Sequence, residues 1–123
     1  MKLKVFDEEL SVCKVANVDG IDLARELTFV GVTDEEVSLV CPTDVAPADA
    51  LEREDGWRAF RIEGMLDFSL VGILAQVSGV LAEAGVPLFV VSTYNTDYVL
   101  VKSGDFNRAL KALGKAGFAV DGK

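Results

Sequence analysis

A chain of 123 residues, half of them hydrophobic, makes one compact unit or two very small ones and can bury a core without disulfides or metal. Twelve Lys plus Arg against twenty Asp plus Glu leave a net charge of −8, which argues against a nucleic-acid backbone or an anionic membrane surface as partner. Histidine is absent, which removes the commonest general base near neutral pH, the commonest zinc ligand and every Ser-His or Cys-His nucleophile scheme.

Residues 1–9 carry two Lys and three acids and do not resemble a signal peptide. The longest apolar-rich stretches are interrupted by Asp, Glu, Gln or Gly, so none is expected to span a bilayer, and a soluble cytoplasmic protein is the expectation. Cys13 and Cys41 are too few for a disulfide scaffold and form no CxxC motif; each sits in an apolar run and reads as a small core residue. Residues 10–16, LSVCKVA, read as a strand followed by turn chemistry at 17–20. Residues 21–27 are expected to make about two helical turns. Residues 28–32 and 37–41 read as strands joined by a hairpin at 33–36, with Pro42 ending the second. A short helix is expected over 47–53, opening with Pro47, then a turn at Glu54-Asp55-Gly56 and a partly buried strand over 57–63, WRAFRIE.

From Leu70 the apolar residues Leu70, Ile73, Leu74, Val77, Val80, Leu81 and Ala84 fall at helical spacing and put one stripe on a helix. Gly85 lies where a left-handed cap is wanted, and Pro87 prevents continuation. Leu88 to Val91 form a continuous apolar run, as a strand buried on both faces would. Ser92 to Asp97 interrupt it with hydroxyl, amide and carboxylate groups before Tyr98 to Val101 resume it. A second helix follows, with Phe106, Ala109, Leu110 and Leu113 at helical spacing, Lys111 and Lys115 near its negative end and Gly117 as its cap. Residues 118–120 make a last strand.

The second half therefore reads strand, helix, strand, strand, helix, strand, and the first half follows the same plan with a feeble first helix and no last strand of its own. The expected fold is α+β: tandem ferredoxin-like βαββαβ units, antiparallel sheets with helices on one face, divided as residues 1–56 and 57–123.

The stretch EGMLDFSLVGILAQVSGVLAEAGVPLFVVSTYNTDYVLV resembles ACT domains, the small-molecule-binding regulatory units of amino-acid metabolism. Within them it is similar to the small paired-ACT proteins related to the CASTOR-type amino-acid sensors. The parts that carry the likeness are Gly72 in DFSLVG, the helix end LAEAGV, and STYNTDYVLV. The resemblance implies an amino-acid-binding unit that performs no chemistry and needs no cofactor. Leu66, Asp67, Phe68, Ser69, Leu70 and Gly72 would face the ligand from the loop before the helix. Ser92, Thr93, Tyr94, Asn95, Thr96 and Asp97 would face it from the strand end, with Asp97 holding the ammonium group. The CASTOR-type proteins bury the ligand between two of four such units, so here the opposing wall would come from the first half or from a second copy. A homodimer is the expectation.

The residue types suit that role. Free N–H groups at a helix start, reinforced by the dipole, bind a carboxylate, and Gly72 allows close approach. Three charge-assisted bonds at roughly 1.5–3 kcal/mol each, against an association cost of at least about 4 kcal/mol, reach only about millimolar affinity, so burial of the ligand's side chain must supply the rest. A plain hairpin also accounts for Ser92 to Asp97, and Asp67 and Ser69 can simply cap the helix. Two other functions remain at this stage. One is a ligand-free oligomerisation module. The other is an enzyme using Asp67 and Asp97 as acid and base, which no motif supports.

Overall fold

The computed structural model describes residues 2–63 and 72–121. The elements are β1 Lys2–Val5, β2 Leu10–Val15, β3 Phe29–Val32, β4 Val37–Pro42, β5 Glu52–Ile62, α1 Ile73–Glu83, β6 Phe89–Ser92, β7 Asp97–Lys102, α2 Phe106–Lys115 and β8 Ala119–Asp121. Short 3-10 turns stand at Thr43–Val45 and Ser103–Asp105. The chain divides into Glu8–Trp57 and a second unit made of Met1–Asp7 with Arg58–Lys123.

In the unit Glu8–Trp57 the strands run β3-β4-β2-β5, each pair antiparallel. This is the strand order of a ferredoxin-like unit without its helices, and the start of β5 supplies the last strand that this half was expected to lack. Cys13, Val15, Leu39 and Cys41 form its buried cluster, with Ile21, Val37, Ala46 and Ala50 packed against them. Both cysteines are free and buried, as their apolar surroundings predicted. Thr33 closes the β3–β4 hairpin by accepting hydrogen bonds on Oγ1 from Glu35 N and Glu36 N, each at 3.2 Å.

The two helices expected here do not form. Over 17–28 the chain makes successive turns instead: Leu27 takes a left-handed φ of 62°, Asn17 Oδ1 accepts from Asp19 N at 2.9 Å, and Asp22 Oδ1 accepts from Ala24 N at 3.0 Å. Such local bonds compete with helical ones. Over 47–50 the chain makes only a turn, Ala50 N donating to Pro47 O at 3.4 Å, before β5 begins at Glu52. Nor is Glu54-Asp55-Gly56 a turn. It lies inside β5 as a bulge, where Leu10 pairs with Trp57 but Val12 with Glu54, and Gly56 supplies a φ of 87°.

The other unit has strand order β8-β1-β5-β7-β6, with α1 and α2. Without β1 this is the ferredoxin-like order, and β1 is wedged between its first and last strands, antiparallel to β5 and parallel to β8. The expected division at 56/57 therefore differs from the observed one in residues 1–7, which belong with the C-terminal half, and in Trp57, which belongs with the other unit. Alternate residues Leu3 and Val5, Phe60 and Ile62, Val99 and Val101 share a core with Val77 and Leu81 of α1 and Phe106, Ala109 and Leu113 of α2. One face of the sheet thus carries both helices, as the apolar stripes require. Burial of each of these side chains larger than alanine stabilises by about 1.5–3 kcal/mol. Gly85 ends α1 at φ 74° and Gly117 follows α2 at φ 103°, the left-handed positions that their placement predicted. Among the described residues no helix is long and apolar enough to cross a membrane.

Candidate functional site

The polar hexapeptide is the tip and flanks of the β6–β7 hairpin. Ser92 pairs with Asp97 in the strand register, and Ser92 Oγ donates to Asp97 Oδ1 at 2.5 Å. Thr93 N donates to Thr96 O at 2.8 Å, and Thr93 Oγ1 donates to the same carbonyl at 3.0 Å. Thr96 is buried and its Oγ1 donates to Ile62 O at 2.7 Å, tying the hairpin to the end of β5. Tyr94 stands at the tip, 87% exposed.

Between that hairpin and β5 opens a cleft of about 350 Å³, lined by Arg61, Ile62, Glu63, Thr93, Asn95, Thr96 and Tyr98. Arg61 is its cation. The guanidinium donates from Nη1 to Tyr98 Oη at 3.0 Å and from Nη2 to Glu63 Oε2 at 3.0 Å. The Tyr98 hydroxyl and the Glu63 carboxylate hold Arg61 more firmly protonated than usual, against the opposing effect of burial. Phe6 completes the setting: its ring centroid is 6.0 Å from that of Tyr98 and 5.4 Å from the guanidinium carbon of Arg61. A planar cation flanked by two rings, with hydroxyls, an amide and a carboxylate nearby, is equipped to bind a small polar anion or zwitterion.

The structure therefore brings Thr93, Asn95 and Thr96 to one cleft and pairs Ser92 with Asp97 beside it. Gly72 is the left-handed residue at the start of α1, with φ 94° and its carbonyl accepting from Gln76 N at 2.8 Å. Leu66, Asp67, Phe68, Ser69 and Leu70 lie outside the described residues. Sequence reasoning missed Arg61 and Glu63. The signal for them was present in WRAFRIE, where they alternate with Phe60 and Ile62 and so occupy the opposite face of the strand.

A ferredoxin-like α+β unit with both helices on one face of its sheet is the architecture of an ACT domain. The chain belongs to the ACT domain family, whose model matches residues 52–115; its members are typically ligand-binding and regulatory. It is 34% identical over 85 residues to the human cytosolic arginine sensor for mTORC1 subunit 1, a match covering 67% of this chain and 25% of that protein. The chain thus spans about a quarter of the length of the curated relatives it matches. Protein Atu0741 from Agobacterium tumefaciens has a similar structure, with TM-score 0.86 and 29% identity, covering 99% of this chain and 92% of that one. The ligand-free regulatory subunit of aspartate kinase from Thermus thermophilus shares the fold, with TM-score 0.67 and 12% identity over 94% of this chain and 96% of that one.

Proposed function

We propose that this protein is a non-catalytic regulatory protein that binds a free amino acid between the 66–72 segment and the strand end at 92–97. The cleft at Arg61 is the observation that carries the reading. It offers a guanidinium to an α-carboxylate, the carboxylate of Glu63 to an ammonium group, and neutral hydrogen bonds from Thr93, Asn95 and Thr96; Asp97, paired with Ser92 beside the cleft, is the second carboxylate within the proposed strand end. Its volume is at the small end of ligand clefts, which run from about 300 Å³. The arginine sensor among the relatives supports the ligand class and a cytosolic location. Assembly as a homodimer belongs to the same reading, since a second copy would supply the opposing wall.

Thermal unfolding of the pure protein against the twenty amino acids at millimolar concentration, arginine first, tests this. A ligand at about 100 times its dissociation constant adds roughly 2.7 kcal/mol, and a shift on the order of 5–15 °C follows for a chain of this size. The expected result is stabilisation by one or a few amino acids, abolished in Asp97→Ala.

A second reading, a ligand-free assembly module, is favoured by β3. This edge strand, FVGV, carries no charge and exposes Val30 (39%) and Val32 (72%), a template for pairing with another chain. If no amino acid stabilises the protein and Val32→Lys dissociates it in sedimentation, this reading replaces the first.

A further inference from the structure

We propose that the unit containing α2 carries a second small-molecule site, centred on Arg58, for an aliphatic α-amino acid of about the size of valine. It shares no lining residue with the Arg61 cleft and does not depend on the function proposed there.

Residue alternation along β5 puts Arg58 in register with Phe60 and Ile62, both fully buried on the helix-covered face. An arginine in a core register needs partners for its donors, because a buried unmade bond is costly. Arg58 has some of them. Its Nη2 donates to Phe6 O at 2.9 Å and lies 3.6 Å from Asp7 Oδ1. The guanidinium carbon stands 4.1 Å from the Phe106 ring centroid. Its Nε–H, however, is buried and has no hydrogen-bond partner.

Beside this group opens a cleft of about 180 Å³ lined by Val5, Asp7, Arg58, Phe106, Leu110 and Val120, among others. Its chemistry selects the ligand. One cation and one carboxylate complement a zwitterion, whereas a bare carboxylate meets Asp7 and a bare amine meets Arg58. Val5, Leu110 and Val120 form an apolar wall for a short aliphatic chain. The volume lies below the roughly 300 Å³ at which clefts for drug-sized ligands begin, so only a small ligand fits. Its carboxylate would accept from the Arg58 guanidinium where that group lines the cleft, while Phe106 stacking holds the guanidinium plane in place. The carboxylate of Asp7, with its side chain 81% exposed, is open to a ligand ammonium group.

The test is an NMR titration that follows the Arg58 Nε–H signal and the methyl groups of Val5, Leu110 and Val120. The probes are L-valine, isobutyrate and isobutylamine at millimolar concentrations. Valine is expected to shift all four residues saturably, and each half-ligand to bind about tenfold more weakly. The shifts persist in Asp97→Ala and vanish in Arg58→Met. Because Arg58→Met touches the core, Asp7→Asn provides an independent arm at an exposed position: it weakens valine about tenfold and tightens isobutyrate. The proposal is overturned if valine leaves Arg58 Nε–H and the Leu110 methyls unmoved, if the shifts survive in Arg58→Met, or if isobutyrate binds as tightly as valine. Shifts confined to Arg61 and residues 92–97 overturn this site alone and leave the hairpin cleft as the one that binds.

Discussion

The Thr96 hydroxyl donates to the Ile62 carbonyl at 2.7 Å, so a residue at the tip of the β6–β7 hairpin is fixed to the last residue of β5, 34 positions earlier. Both residues are buried, and both line the Arg61 cleft. The distance between the two walls of the cleft is therefore set by a side chain and not by the sheet ladder alone. Replacing Thr96 by Val keeps the shape and leaves the Ile62 carbonyl without this donor. We expect a loss of about 1–3 kcal/mol in urea unfolding, with Thr96→Ser retaining most of the stability. Equal midpoints for Thr96→Val and wild type would remove the pin.

Asp97 accepts from Ser92 Oγ at 2.5 Å across the β6–β7 pair. Asp97→Asn preserves the size of the side chain and removes the charge. Calorimetric titration with whichever amino acid stabilises the protein should show affinity weakened by a factor of about ten to a hundred, with the unfolding temperature of the free protein little changed. Unaltered affinity would mean that another group holds the ammonium.

Leu3 is fully buried in the core between β5 and β8, although it belongs to the first strand of the chain. Leu3→Ala should cost about 2–5 kcal/mol in equilibrium unfolding, the range for a buried leucine. A chain that begins at residue 8 should unfold at markedly lower urea, because Leu3 and Val5 leave the core and β8 loses its pairing partner. Unchanged stability in the shortened chain would show that β1 is dispensable.

Gly56 sits in the β5 bulge at φ 87°, and an added Cβ there would meet nothing within 4 Å. Its substitution therefore isolates backbone conformation from packing. Gly56→Ala should destabilise by about 1–2 kcal/mol through the left-handed backbone alone, readable as a fall in Tm of several degrees.

Burial pushes the Cys41 thiol up to about 11, assisted by the neighbouring Cys13 and opposed by Arg53. A thiol whose folded pKa is raised contributes stability that is present in full below its ordinary value of 9.0 and is lost as pH rises towards 11. Stability should therefore decline from about pH 9 to 11, and this part of the decline should be absent in Cys41→Ala. Below that window a thiol reagent should label Cys41 only as fast as the protein unfolds. Rapid labelling of the native protein at neutral pH would contradict the burial.

Much of the second half was legible because its signals are local. The stripe from Ile73 to Ala84, the Gly85 and Gly117 caps and the apolar runs on either side of 92–97 each depend on neighbours within a few residues, and each gave its element, although β6 is a half-buried edge strand paired only with β7 and not one buried on both faces. In the first half the same method misread 21–27 and 47–53 as helices. The acidic start of the first and the Pro47 start of the second open only turns: Asn17 and Asp22 close Asx turns, and the chain after Pro47 makes one turn before β5 begins. Glu54-Asp55-Gly56 misled for a related reason: a positive φ serves a bulge as well as a turn, and only a partner strand distinguishes the two.

The sequence by itself determined the ACT plan of the second half and the polar hairpin at 92–97, because side-chain periodicity and glycine placement act over one or two turns of chain. Tertiary structure alone decided that β1 joins the far half, that Arg61 and Glu63 meet Thr93 and Thr96, and that Arg58 stacks on Phe106. Those contacts join residues far apart along the chain, from Glu63 with Thr93 to Leu3 with Val120. They arise from strand order and register, which are set by which surfaces bury together once the helices have packed and not by any short run of residues.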